Sequence, residues 1–340
     1  MRIAQIMAGA PHGGAEAFYE RLCIGLHAAG EQVLPVIRRD AERSAKLRAG
    51  GLAPVELGFG GALDLLTGPR LRGALTGFAP AVAIAWMNRA ARFTPKGAWT
   101  LVGRLGGYYD LKYYRRCDHL VGNTRDIVRW IAAQGWAPAR THYLPNFAAD
   151  LAGAAPADLP GRTRLLAMGR LHRNKGFDIA LRALAALPAA HLSIAGEGPE
   201  RAALESLAAE LGVMDRVTFL GWRSDIGALL AGCDIFVCSS RHEPLGNIVL
   251  EAWSASRPVV AAAAQGPTEL ITDDDTGLLV PVEDADALAC AIGALIADPQ
   301  RAARLAQAGR AAYEGDFTEA AVVARWRDFL AAVAPRQQAA

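Results

Sequence analysis

The chain has 340 residues, of which 52% are apolar and 21% charged, with a formal net charge of +2. That length accommodates two domains with cores of their own, and the composition is that of a globular protein, not a disordered or fibrous one. No apolar run approaches the ~20 residues of a membrane-spanning helix, and Met1 leads straight into a strand pattern, so neither a spanning segment nor a cleaved leader is expected.

Taken in chain order, short apolar strands alternate with Ala/Leu-rich helices. The first half predicts strands at Ile3–Met7, Val33–Ile37, Val82–Ala85, Leu101–Val102 and Leu120–Val121, with helices between them such as Ala15–Ala29 and Thr124–Gln134. After the first strand, Gly9-Ala10-Pro11-His12-Gly13-Gly14-Ala15-Glu16 opens a helix. This loop has neither the G-x-G-x-x-G of a dinucleotide site nor the Lys-Ser/Thr of a P-loop, so NAD and ATP are not expected there. Further on, Arg104 stands just after the Leu101–Val102 strand pattern, and Tyr108, Tyr109, Tyr113, Tyr114, Arg115 and Arg116 follow it closely. Residues 1–150 hold 19 Lys and Arg against 11 Asp and Glu, a balance of +8. Residues 151–340 hold 17 against 23, a balance of −6. A basic first half favours an anionic partner.

The stretch 150–161, rich in Ala, Pro and Gly, reads as a linker. The pattern then restarts, with strands at Leu165–Met168, Leu192–Ala195, Val217–Leu220, Ile235–Cys238 and Val259–Ala261, and helices at Phe177–Leu187 and Arg201–Leu211. Alternation of this kind predicts parallel sheets covered by helices on both faces, one per half. Three turns at predicted strand ends carry chemistry. In Gly169-Arg170-Leu171-His172-Arg173-Asn174-Lys175-Gly176-Phe177-Asp178, Arg170 and Lys175 can grip a diphosphate, one with a planar fork and the other as a point charge. In Ala195-Gly196-Glu197-Gly198-Pro199, Gly196 and Gly198 permit a tight turn at the sheet edge. Arg241 to Glu251 read RHEPLGNIVLE. There Gly246 and Asn247 open a helix whose N-terminus favours an anion, and Glu243 and Glu251 stand eight positions apart. N–H groups and cations for phosphates, with carboxylates for hydroxyls, suit a sugar nucleotide. The five cysteines form no C-x2-C pair and are expected to be reduced thiols.

These residues resemble the glycosyl transferases group 1 family. Glu243 and Glu251 match its E-x7-E signature, Gly169 to Asp178 its Arg/Lys diphosphate element, and Gly196 to Pro199 its G-x-G-P turn. Gln265 to Leu270, Thr276 to Pro281 and the Gly13-Gly14-Ala15-Glu16 loop also resemble elements of that family. Where many members carry a His near the reacting sugar, this chain has Arg104. The resemblance implies an α/β protein of GT-B type, with two Rossmann-like doubly wound parallel-sheet domains facing across a cleft. Residues 1–150 would bind the acceptor and 151–316 the nucleotide-sugar donor, with the amphipathic helix 317–333 returning to pack on the first domain.

The activity so implied is retaining transfer of a sugar from a nucleotide sugar to a glycan acceptor, in lipopolysaccharide core or other cell-envelope glycan synthesis. Arg170, Lys175 and Glu243 would be the catalytic residues. Glu251, Gly246, Asn247, Gly14, Gly196 and Gly198 would bind the donor, a UDP-, GDP- or ADP-sugar. Arg104, His12 and Arg116 are the acceptor candidates, and Lys112 and Arg115 stand near them. No metal or further cofactor is expected, because Arg170 and Lys175 supply the positive charge. The acceptor is expected to be anionic, nucleic acid is not expected as a partner, and the protein is expected in the cytoplasm, peripheral on the inner face of the plasma membrane. A sugar-nucleotide 2-epimerase on the same fold and a non-enzymatic sugar-nucleotide binding protein remain as alternatives.

Overall fold

The computed structural model describes residues 1–11, 13–60 and 64–335. The chain forms two compact units, one made of Met1–Asn146 with the chain from Glu319 onward, the other of Phe147–Thr318.

The first unit is built on seven parallel strands: β1 Arg2–Met7, β2 Gln32–Arg38, β3 Val55–Leu57, β4 Val82–Trp86, β5 Thr100–Leu105, β6 His119–Gly122 and β7 Thr141–Tyr143. They run in the order β3-β2-β1-β4-β5-β6-β7, so the winding reverses between β1 and β4. Helices cover both faces, which is why the central strands β1 and β4 are buried on consecutive residues rather than on alternate ones. The two short edge strands, β3 and β7, are half-buried and give little hydrophobic signal in the sequence. Helix Glu319–Val333 belongs to this unit. Val322, Trp326 and Leu330 on it are buried, and a Cβ at Gly25 of helix Gly14–Ala28 would lie 2.9 Å from Val323. Its polar edge is tied by Arg327 to Glu31 at 2.9 Å, and its last carbonyl accepts the Thr100 hydroxyl at 2.7 Å.

The second unit holds six parallel strands: β8 Thr163–Met168, β9 Ala190–Ala195, β10 Val217–Gly221, β11 Ile235–Cys238, β12 Val259–Ala262 and β13 Leu278–Val280. Their order is β10-β9-β8-β11-β12-β13, with the reversal between β8 and β11. The stretch 150–161 is no free tether, contrary to the linker expectation. Asp150 pairs with Arg310, the Ala157 N–H donates to the Ala228 carbonyl at 2.8 Å, and Leu159 is buried. Both sheets are of the doubly wound parallel kind that alternation of strand and helix implies.

Candidate active site

In an open parallel sheet, ligands sit outside the carboxyl ends of the strands where the winding reverses, because the flanking loops diverge there. In the second unit that point lies between β8 and β11, and the loops leaving these two strands carry Arg170, Lys175 and Glu243. After β8 the chain turns at Gly169, makes a 3₁₀ turn Arg173–Lys175, and enters helix Phe177–Ala185 through Gly176, whose φ is 62°. Only glycine fits there. The conformation is left-handed, and a Cβ would overlap the Ser239 carbonyl.

That close approach stitches the two loops together. The Ser239 hydroxyl donates to the Lys175 carbonyl at 3.0 Å, and the Arg241 N–H to the Asn174 carbonyl at 2.8 Å. Arg241 forms a two-pronged pair with Asp178, both contacts at 2.7 Å, and also reaches Glu283 at 2.6 Å. Hydrogen bonding to Arg241 holds the Asp178 carboxyl below its ordinary range, and the same bonds raise the Arg241 guanidinium. Asp178 and Arg241 both stand within motifs read from the sequence, yet pattern alone gives them no role. Their function is to fix the loops that carry Lys175 and Glu243 relative to each other.

Lys175 and Glu243 form an ion pair, with side chains 22% and 10% exposed. The Glu243 carboxylate has one further polar neighbour, the Ser240 hydroxyl at 3.5 Å. Arg170 is exposed and has no ion-pair partner among the described residues. Gly246, with φ 66°, precedes helix Asn247–Ser254, and a Cβ on it would lie 2.8 Å from Leu270. The neighbouring helix Gln265–Leu270 seats Gly266 against this turn. The Gly266 N–H donates to the Glu243 carbonyl at 2.7 Å, and a Cβ there would fall 2.6 Å from the same oxygen. Glu251 follows in the second turn of helix Asn247–Ser254, half-buried.

Gly196 and Gly198 have a packing role in the structure. A Cβ at Gly196 would overlap the Gly169 carbonyl, and one at Gly198 the Leu171 carbonyl. The N–H groups of Gly169 and Leu171 donate to the carbonyls of Ala195 and Glu197, both at 2.9 Å, so these glycines let the Arg170 loop lie flat on its neighbour.

In the first unit, Gly14 is the first residue of helix Gly14–Ala28, and His12 lies outside the described residues. The helix entrance already holds an anion of its own. The buried Glu16 carboxylate accepts the Ala10 N–H at 2.9 Å and occupies the space beside Gly9 and Gly13. A carboxylate in that place disfavours a second anion and suits a hydroxyl. Buried Arg43, another residue that pattern gives no role, ties the loop down through the carbonyls of Ala10 and Pro11 at 2.8 and 3.0 Å and through Glu20 at 3.0 Å.

The expected basic cluster does not form around Arg104. That residue is fully buried on β5, and its guanidinium lies 4.6 Å from the ring centroid of Trp86 and 5.3 Å from that of Phe18. Arg116 is outside and donates to the Arg92 carbonyl, Lys112 pairs with Asp110, and Arg115 is exposed.

Among the described residues no group of three or more His, Cys, Asp or Glu side chains could hold a metal ion. Two Asp-x-Asp strings, at 273–275 and 284–286, have local roles. Asp273 accepts the Leu279 N–H at 2.9 Å, Asp274 pairs with Arg301 at 2.7 Å, and Asp284 caps helix Ala285–Ala297 at 2.8 Å. No helix among the described residues is long and apolar enough to cross a membrane.

Residues 157–312 match the family model described as glycosyl transferases group 1. The chain is similar to the lipopolysaccharide core biosynthesis glycosyltransferase LpsE of Rhizobium meliloti (strain 1021), 35% identical over 94% of this chain and 96% of that one. It is 34% identical to LpsD of the same organism, over 97% and 98%. Among solved structures, the Anabaena protein Alr3699/HepE in complex with UDP superposes with a TM-score of 0.86 at 22% identity, covering 98% of this chain and all of that one. These similarities are of fold and ancestry, and the fold they share is GT-B.

Proposed function

The chain belongs to the glycosyl transferases group 1 family and is a glycosyltransferase, and from that premise we propose that it moves a sugar from a nucleotide-sugar donor to a growing lipopolysaccharide core or a related lipid-linked glycan. The second unit takes the donor and the first the acceptor. The observation that carries the donor reading is the Lys175–Glu243 pair at the reversal point of the β8–β11 sheet, fixed from behind by Asp178 and Arg241.

Each residue then has a task set by its chemistry. Lys175 and Arg170 meet the diphosphate, together with the first N–H groups of helix Asn247–Ser254. Negative charge grows on the diphosphate as the glycosidic bond breaks, so fixed cations there stabilise the transition state more than the ground state. Glu243 faces the donor sugar hydroxyls and Glu251 those of the ribose. The configuration at the anomeric carbon is retained. The solved Anabaena neighbour holds UDP, which favours a nucleoside diphosphate as the leaving group here as well. The excess of +8 in residues 1–150 favours an anionic acceptor, and a cytoplasmic enzyme resting peripherally on anionic lipid.

The test is a thermal-shift screen of UDP-, GDP- and ADP-sugars, followed by assay of nucleotide release with and without glycan acceptor. A ligand at 100 times its Kd adds about 2.7 kcal/mol to stability. Release that requires acceptor, with an unchanged anomeric configuration in the product by NMR, is the expected result. If no nucleotide sugar stabilises the chain, or if the Lys175→Ala variant is stabilised as strongly as wild type, the donor site is wrong. Flotation with anionic vesicles at low and high salt tests the membrane reading, which fails if the protein stays in the aqueous fraction at both.

A further inference from the structure

Arg104 is a buried charge without a counter-ion among the described residues. One Nη atom donates to the Asn146 side-chain oxygen at 2.6 Å, while Nε and the other Nη are buried and unpartnered. Among the described residues no carboxylate pairs with it, and burial draws its pKa down to about 10. A guanidinium taken out of water and left unpaired is costly unless a ligand completes it. Asn123, 5% exposed, likewise has both side-chain amide atoms unpartnered.

The geometry at Gly106 brings these groups to one point. A Cβ built on Gly106 would lie 2.8 Å from the unpartnered Arg104 Nη1, 3.8 Å from Asn123 Nδ2 and 3.8 Å from the Tyr109 hydroxyl. The missing side chain of Gly106 therefore leaves a notch ringed by three hydrogen-bond donors, one of them cationic. Gly106, Gly107 and Tyr109 are only half-buried, so the notch opens towards the surface above a guanidinium that is fully inside. Met87, which follows the end of neighbouring β4, has φ 60°, a strained conformation of the kind that gathers at functional sites.

We propose that the Gly106 notch receives an anionic oxygen of the acceptor, a carboxylate or phosphoryl oxygen, on Arg104, Asn123 and Tyr109. Donors converge from three sides, one of them a guanidinium, so the notch selects an acceptor of hydrogen bonds even though the Glu16 carboxylate acts on Tyr109 as well. The proposal deepens the reading of the first unit as the acceptor unit and rests on it.

The probes are inorganic phosphate and acetate, added to the full-length chain at constant ionic strength, with UDP as a separate arm and the melting temperature as the readout. Wild type should gain stability saturably from at least one anion, and the Lys175→Ala variant should keep that gain. Asn123→Asp places a carboxylate beside Arg104. It should melt higher than wild type without added anion and should no longer respond to phosphate or acetate. Gly106→Ala fills the notch and should lose the response too, and if it fails to fold, Asn123→Asp decides alone. The UDP response should be the same in wild type and both variants.

The proposal is overturned if neither anion stabilises wild type, if Asn123→Asp and the folded Gly106→Ala respond as wild type does, or if Asn123→Asp is destabilised. Loss of the UDP response in the notch variants overturns the acceptor assignment and gives the anion to the donor. If UDP never stabilises wild type while the anion pattern holds, the donor reading fails and the notch stands.

Discussion

Removing Lys175 separates a structural ion pair from a transition-state cation, because the two roles leave different marks. In Lys175→Ala the Glu243 carboxylate, only 10% exposed, is left with the Ser240 hydroxyl at 3.5 Å. Orphaning a fully buried charge costs about 3–5 kcal/mol, and this pair is partly solvated, so a loss of about 1–3 kcal/mol is expected. For a unit of this size each kcal/mol shifts Tm by about 2–4 °C, so the transition should fall by about 2–12 °C. Glu243→Gln should cost less, under about 1 kcal/mol, because Lys175 is 22% exposed and can turn its ammonium to water. The double variant Lys175→Ala/Glu243→Gln should regain most of the lost stability, since no charge is then stranded. Its activity should not return. Loss of one charge-stabilising donor lowers the rate by about 10²–10³, some 2.7–4 kcal/mol of barrier. Thermal unfolding and initial-rate measurements of nucleotide release on all three variants supply the comparison. If the double variant recovers turnover along with stability, Lys175 is a structural partner of Glu243 and the leaving-group role is refuted.

Asp178→Asn should lower kcat/KM by about tenfold or more without removing any group from the ligand, because Arg241 loses its two-pronged partner and the loops at 174 and 241 loosen. Unchanged kinetics would show that the stitching is dispensable. Turnover should survive EDTA, since Arg170 and Lys175 carry the charge on the leaving group; full loss that Mg²⁺ or Mn²⁺ restores would contradict this assignment. Glu243→Gln should bind free nucleoside diphosphate several-fold more tightly and the intact nucleotide sugar more weakly, measured by calorimetry, and a parallel change in both would count against an exchange of Lys175 between Glu243 and the diphosphate. In the first unit His119 Nδ1 and His142 Nε2 lie 3.0 Å apart, and burial lowers both pKa values, that of His142 to about 4. Between about 6.5 and about 4 the unfolded chain therefore binds more protons than the folded one. Stability should be full above pH 6.5 and fall as pH drops through that window, with a shallower fall in His142→Phe; equal slopes in the two would reject the pair as the cause.

The parallel sheets were legible because central strands such as Val82–Ala85 and Ile235–Cys238 are apolar on every residue, a pattern that a doubly covered sheet requires. Strands β3 and β7 were not. Three residues at a sheet edge, mostly half-buried, are too short to carry such a signature, and their pairing with β2 and β6 is made across an intervening helix. In the site, Lys175 and Glu243 were legible as charged residues at strand ends, but their mutual pairing was not, since 68 residues separate them and nothing local records the contact. Glycine proved ambiguous in the same way. Gly196 and Gly198 read as a ligand turn, yet a Cβ at either would meet backbone of the neighbouring loop, whereas Gly106, unremarked in the sequence, faces three side-chain donors. A glycine signals that something comes close; whether that is backbone, side chain or ligand is decided by tertiary contacts. A charge count likewise says nothing of placement. Of the basic residues behind the +8 of the first half, Arg104 is inside, Lys112 pairs with Asp110, and Arg115 and Arg116 are exposed, Arg116 donating to the Arg92 carbonyl.

The arrangement of charge in the second unit bears on the order of events proposed for the donor. Of the basic groups on the loops leaving β8 and β11, Lys175 and Arg241 have carboxylate partners, whereas Arg170 and Arg173 have no ion-pair partner among the described residues. Arg241 is held by two short bonds and by Glu283 as well, so it is not available for exchange. Lys175 has a single carboxylate partner on a flexible stem and can be shared. A diphosphate arriving first at exposed Arg170 would compete with Glu243 for that ammonium, and the stronger anion would take the larger share. Glu243, held by the Gly266 N–H at its backbone rather than at its side chain, would then have its carboxylate oxygens free for hydroxyl groups. Nucleotide binding and sugar recognition would thus be coupled through one proton-rich nitrogen. A free nucleoside diphosphate, with no sugar to compensate the carboxylate it displaces, would leave Glu243 half-desolvated and unpaired. On the proposed donor reading the pair would favour the intact donor over its product, which would aid release after transfer.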